Sequence, residues 1–309
     1  MGEIATQIEA ALGDVFALIL QLFHYHFMHN AYLAGTLVAL AAGVIGYFMV
    51  LRGQSFAGHS LANVGFAGAT GAALIGIPAI LGLFVAGLLA ALGIQGLQPA
   101  SHAGHKSDVA IGAVLTAALA LGFLFVFLST SEYASNIYNV LFGNILGISD
   151  GDVQVVIWST LALLIVMFWI ARPLFFLSLD PTVAAAQGVP VQLISLGYLV
   201  LLALVVAISV QVVGALLIFA LLVTPAAIAQ TLTSRPGVAV LLSVLLAIVF
   251  TWMGLTIGFF TPYPVSFFIT SCAFGTYLLA HGGKLIWDKR AHKRDQIPLS
   301  SQMNGASNA

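Results

Sequence analysis

An all-α, polytopic transmembrane helical bundle of eight to nine spans, with one short cytoplasmic helix between spans, is the fold class this sequence predicts. Composition is the first observation. Of 309 residues, 61% are hydrophobic and only 6% are charged, whereas soluble domains carry about 25% charged residues. Folding cannot hide that much apolar surface in a single water-soluble core. Distribution is the second: the apolar residues gather into runs near the ~20 residues needed to cross about 30 Å of hydrocarbon, and every Lys and Arg falls at a break between runs. Backbone in lipid must satisfy its own hydrogen bonds, which selects helices over open sheet.

In chain order, residues 1–30 hold Glu9, Asp14, Gln21, His24, His26 and His29 among apolar residues. That mixture suits an amphipathic segment in the outer interface better than a span. The transmembrane body covers residues 31–284, with spans expected near 31–51, 57–77, 79–97, 108–130, 153–171, 191–210, 211–233, 237–259 and 264–284. The boundary at Ser209 to Gln211 is the weakest and leaves eight spans open. If all nine cross, Arg52, Lys106, Arg172, Arg235 and the cluster Lys284, Lys289, Arg290, Lys293 and Arg294 share one face, while Glu132, Asp150 and Asp152 share the other. The positive-inside rule makes the basic face cytoplasmic, in a cell-membrane protein that crosses many times. Residues 285–309 read as a polar cytoplasmic tail.

A net charge of −1 leaves no basic field for nucleic acid. The single Cys272 cannot form an intrachain disulfide. The opening MGEIAT lacks the basic stretch of a cleaved signal peptide. The phosphate-binding pattern GxxxxGK[ST] is absent, and the spans hold none of the Asp, Glu, Lys or Arg residues of a proton relay. If this protein pumps, a partner supplies the work, and no enzymatic chemistry is expected of the chain itself.

A partner could push on the longest cytoplasmic connection, Arg172 to Pro190. Asp180 before Pro181 supplies an N-cap and a first-turn proline, Val183 to Gln187 favour helix, and Gly188 is a natural stop. A helix of about two turns parallel to the membrane follows. From this spacing alone it is equally an interfacial connector.

SLDPTVAAAQGV (178–189) and VGALLIFALLVTPAAIAQ (213–230) resemble the membrane permease subunit of ABC importers for zinc, manganese and iron. NVLFGNILGIS (139–149) and RGQSFAGHSLAN (52–63) extend the likeness to the family's external LFG segment and its R-x-x-SF-x-G-D-x-L-[SA]-H signature. The resemblance runs from about residue 27 to 284. It implies two permease subunits, two cytoplasmic ABC ATPase subunits and an external metal-binding protein. It identifies the helix after Asp180 as the coupling helix that docks on the ATPase, with Asp180, Ala184, Gly188 and Val189 on its motif. Residues 131–152 become part of the docking face for the binding protein. The cargo implied is a metal ion, with no permanently bound cofactor.

One departure falls inside the signature. Where the family carries a metal-coordinating Asp and His four residues apart, this chain has His59 and Asn63. That spacing puts both side chains on one helix face. Imidazole suits zinc, whereas an amide oxygen is a weak neutral ligand, and a two-fold pair would offer two imidazoles and two amides with no carboxylate. This orders zinc ahead of manganese and iron. It also leaves open a metal chelate or other small solute, an ATPase-independent channel or carrier, and a purely structural His59–Asn63 pair. His24, His26 and His29 outside could shuttle metal from the binding protein, although interfacial histidines are common, and His102 and His105 inside, which could receive it, lack a third ligand nearby.

Overall fold

The structure is a computed structural model that describes residues 25–97, 104–128 and 140–295, with the side chains of 104–107 and 285–295 left undescribed. The chain forms helices α1 (His26–Leu51), α2 (Ser55–Leu74), α3 (Ala79–Leu97), α4 (Gly104–Leu128), α5 (Asp150–Leu179), the short α6 (Pro181–Ala186), α7 (Val191–Val213), α8 (Ala215–Leu232), α9 (Pro236–Phe260) and α10 (Val265–Asp295). No strand is present among the described residues. Eight of these helices are long and apolar enough to cross a membrane. α2 has the length but is less apolar, because His59, Ser60, Asn63 and Thr70 interrupt its glycines and alanines.

Two sets of side-chain contacts identify the two ends of the bundle. At one end Asn30 donates to Asp150, and Gln211 Nε2 donates to Asp152 Oδ1 at 3.0 Å. At the other, Arg52 Nη2 donates to Ser195 at 3.0 Å and Gln230 Nε2 to the Tyr47 carbonyl at 3.0 Å. Nine long helices therefore alternate in direction, as the charge distribution predicts. α1 is the central staff, packed against α5, α7, α8 and α9 and buried along most of its length.

Helices in lipid gain little from hydrophobic exclusion and associate through close packing and interhelical hydrogen bonds, each worth about 0.6 kcal/mol on average. Both are present. A Cβ on Gly46 would run into the Leu222 carbonyl, and one on Gly43 would meet the Val244 backbone at 2.7 Å. The fully buried Tyr198 donates its hydroxyl to the Ile45 carbonyl at 3.0 Å, and Ser243 donates to that of Gly43 at 2.9 Å.

Several boundaries differ from the sequence expectation. α1 begins at His26, so 26–30 belong to the first span; residues 1–24, with the rest of the expected amphipathic segment, lie outside the described residues. α5 continues through Pro173 to Leu179, which removes Arg172 to Leu179 from the expected connection. α10 continues past 284 to Asp295. The break expected at Ser209 to Gln211 lies instead at Gly214, whose φ of +87° ends α7 and starts α8 with no loop between them. Gly143, at φ +74°, sits against it: a Cβ on either glycine would strike the backbone beside the other. The external LFG segment is thus seated directly on the α7–α8 break.

Candidate functional site

Ser55 to Leu74 is rich in Ala and Gly, so α2 packs tightly on α3 and α4, and only a narrow stripe near its start is left uncovered. Phe56 and His59 are exposed on that stripe and Asn63 is half-buried. The four-residue spacing brings the last two together as expected. The Asn63 amide nitrogen lies 3.2 Å from His59 Nε2 and 2.9 Å from the His59 carbonyl oxygen. Donating to the carbonyl holds the amide with its nitrogen toward the ring, where it can donate to Nε2 in the tautomer that carries its proton on Nδ1. To coordinate a cation through Nε2, the Asn63 hydrogen bond must first be given up.

Phe219 of α8 completes this surface. Its ring meets the His59 imidazole edge to face, with centroids 5.0 Å apart. Leu216, Phe219, Val223 and Ala227 recur at helical spacing as the less buried positions of α8, so the stripes of α2 and α8 form one continuous face. Phe219 escaped sequence reasoning because an aromatic residue in an apolar helix carries no signal of its own; only the α2–α8 packing gives it a role. Ser60 points away from the stripe. It is fully buried, and its hydroxyl lies 3.4 Å from the Ile111 carbonyl. Among the described residues no three His, Cys, Asp or Glu side chains come together as a metal site.

The segment from Asp180 to Pro190 is a separate site at the basic end. Asp180 Oδ1 accepts from the Thr182 hydroxyl at 2.6 Å and from the Thr182 and Val183 amides at 2.8 and 3.1 Å. This is an N-cap, and it satisfies donors that a helix start leaves free. Those bonds, led by the Thr182 hydroxyl, hold the Asp180 carboxyl below its ordinary pKa. Ala184 is completely buried and anchors α6, whereas Thr182, Val183, Ala185, Ala186, Gln187 and Gly188 are exposed. Gly188 takes φ +81° and turns the chain back through Val189 and Pro190 into α7. At six residues, α6 is slightly shorter than the two turns expected.

The acidic residues at the opposite end have structural partners. Ser149 and Asp152 form a reciprocal capping box at the start of α5. Asp150 accepts from Asn30 and lies 3.5 Å from His26 Nε2, where both side chains are largely exposed. His281 stacks on Tyr277. His24, His102 and His292 fall outside the described residues or side chains, as does the side chain of His105.

Residues 24–282 match the ABC 3 transport family. The manganese import system permease protein ScaB of Streptococcus parasanguinis is 34% identical over 248 residues, 80% of this chain and 86% of that protein. The manganese transport system membrane protein MntC of Halalkalibacterium halodurans is 34% identical over 229 residues, 74% of this chain and 77% of its own. Among solved structures, PsaBC from Streptococcus pneumoniae in complex with a Fab superposes with a TM-score of 0.76 at 31% identity, covering 86% of this chain and 95% of that one.

Proposed function

The chain belongs to the ABC 3 transport family, and from that premise we propose that it is the transmembrane permease subunit of an ATP-driven importer for a divalent transition metal. The observation that carries this reading is α6: an Asp180-capped helix, exposed except at Ala184 and the half-buried Pro181, at the basic end of a bundle whose relatives are named manganese import permeases. A helix so placed, with only one side chain anchored, is shaped for a partner. Cytoplasmic ABC ATPase subunits fill that role. They hydrolyse the nucleotide, and the permease converts their closure into alternating access.

Two copies of the chain would bring two α2–α8 faces together. The apolar stripe of Phe56, Leu216, Phe219 and Val223 would line the junction, and two His59–Asn63 pairs would meet across it. An external metal-binding protein would deliver the ion to the end that carries His26 and the LFG segment. The ion is cargo, held briefly: one imidazole and one amide per subunit bind a dication weakly, and a conduit must release what it admits.

Ligand chemistry and kinship point to different metals. Imidazole without carboxylate favours zinc, while carboxylate, carbonyl and water ligands suit manganese; the relatives above carry manganese in their names. On the ligands of this chain, zinc precedes manganese. The absence of a carboxylate also supports a second reading in which the cargo is a metal chelate. Uptake by the reconstituted complex, with zinc and manganese in competition and then as chelates, separates these readings. The proposal expects ATP-dependent entry of the free ion that falls when His59 is replaced by Ala. Equal uptake by wild type and His59→Ala would remove the pathway site, and uptake of the chelate alone would replace the cargo.

A further inference from the structure

Among the described residues, Arg52 is the one Lys or Arg side chain drawn into the packed body. It lies just past α1, and its guanidinium reaches both the residue before α2 and the first turns of α7. Nη2 donates to Ser195 in the first turns of α7 at 3.0 Å, and Nε donates to Gln54 Oε1 at 3.3 Å. The guanidinium carbon stands 5.4 Å from the centroid of the Tyr198 ring. Tyr198 is itself pinned to α1 through its bond to the Ile45 carbonyl. Nη1 is buried and has no hydrogen-bond partner among the described residues.

Burying a guanidinium around an unpaired N–H is costly. The Tyr198 ring returns part of that cost through cation–π attraction. Stability alone does not call for this arrangement, since an apolar residue would fill the niche without an orphaned donor. What the arrangement does supply is a rigid link. Gln54 is the N-cap residue of α2, and His59 follows it by five positions, about 7.5 Å of helical rise. Ser195 lies in the helix that the coupling segment enters through Gly188, Val189 and Pro190. Deeper in the bundle α2 also approaches α7, where a Cβ on Gly65 would be 3.8 Å from Val210. Arg52 therefore holds the cytoplasmic ends of the two helices together, one leading to the motor and the other to the candidate pathway.

We propose that Arg52 is a positioning residue that carries displacement of the coupling helix to α2, so that His59 and Asn63 move with the motor. The inference rests on the permease reading above. When α6 is pushed, the first turns of α7 shift, and the planar fork of Arg52 pulls the start of α2 along. Lysine cannot reproduce this, because a single ammonium on a flexible stem does not hold Ser195 and Gln54 in fixed relative positions.

The test is metal accumulated per ATP hydrolysed, measured in proteoliposomes holding the full complex of permease, ATPase and binding protein. Arg52→Gln is expected to lower that ratio by about tenfold while ATP hydrolysis stays within about twofold. Arg52→Lys should fall between, and Ser195→Ala, which removes one bond and leaves the guanidinium in place, should lower the ratio by about threefold. A merely structural role would reduce the amount of complex and leave the ratio untouched, so an unchanged ratio in Arg52→Gln overturns the proposal. If Arg52→Gln does not assemble with the ATPase, Ser195→Ala decides: a wild-type ratio there overturns it equally. Failure of the wild-type complex to accumulate any metal would instead defeat the permease reading itself.

Discussion

In α2, Gly68 lies so close to α3 that a Cβ there would run into the Gly82 carbonyl, and a Cβ on Gly82 would run into that of Gly68; after α6, Gly188 has nothing within 4 Å of where its Cβ would stand. The first glycine is required by the inside of the molecule. The second, at φ +81°, is required by the turn of the backbone, and the space around it is open. The same contrast separates the two helices as wholes. α2 is mostly buried, apart from its narrow stripe and Leu74 at its end, whereas α6 is exposed except for the buried Ala184 and the half-buried Pro181. A helix specified from within can be understood from this chain. A helix left bare on most of its surface takes its meaning from a partner.

Substitutions can break or sharpen that contrast. The largest effect is expected at Gly68→Leu, where overpacking against backbone costs about 3 kcal/mol and lowers the thermal midpoint of the detergent-solubilised permease. If the midpoint does not move, the tight packing of α2 on α3 is wrong. His59→Ala leaves that midpoint nearly unchanged, since the ring is exposed, but lowers ATP-driven metal uptake by about tenfold or more. ATPase binding is unaffected in this variant. The two readouts together show whether the α2 stripe serves transport or packing.

Gly188→Leu reverses the pattern. Its strained backbone costs about 1 kcal/mol, yet the affinity for the ATPase, measured by co-purification or binding, falls about tenfold because the new side chain occupies the docking surface. A normal affinity would mean that no partner sits there. Asp180→Ala removes the cap of α6 and weakens ATPase binding by a few fold, while Asp180→Asn, which keeps an accepting oxygen, changes it less. The folded-state pKa of Asp180 is lowered, so its contribution is complete above the ordinary carboxylate value of about 4 and is lost as pH falls through the lowered one. ATPase binding should therefore show no Asp180-dependent change between about pH 6 and 8. The smallest effect belongs to His26→Ala. Its contact with Asp150 is largely exposed, and even a charged pair so placed contributes about 0–1 kcal/mol, so uptake and thermal midpoint should both stay within error of wild type.

Much of this contrast was legible in the sequence. Apolar runs gave the spans, because lipid demands continuous length. Asp180-Pro181 and Gly188 marked both ends of α6, because capping and left-handed backbone have strong residue preferences. His59 and Asn63 met at the spacing that puts them on one face. What escaped reading has equally physical reasons. The α7–α8 break sits at Gly214, three residues past Gln211, where a reversal made by one glycine leaves no polar loop to mark it. Arg172-Pro173, just past the span expected near 153–171, reads as a stop, but Pro173 is accommodated inside α5, which carries on to Leu179. Phe219 beside His59, and Tyr198 and Ser195 beside Arg52, come from positions more than 140 residues away. Periodicity within a helix carries no information about such pairs.

The central claim is that this bundle moves its cargo only when a motor works on α6. The most direct measurement is metal entry into vesicles containing the permease alone, or the permease with its ATPase partner, the binding protein and ATP. The account predicts accumulation only in the complete system and no entry through the permease by itself. Metal running down its gradient through the isolated permease, at a rate that ATP and the ATPase do not change, would contradict it and make the protein a channel or carrier.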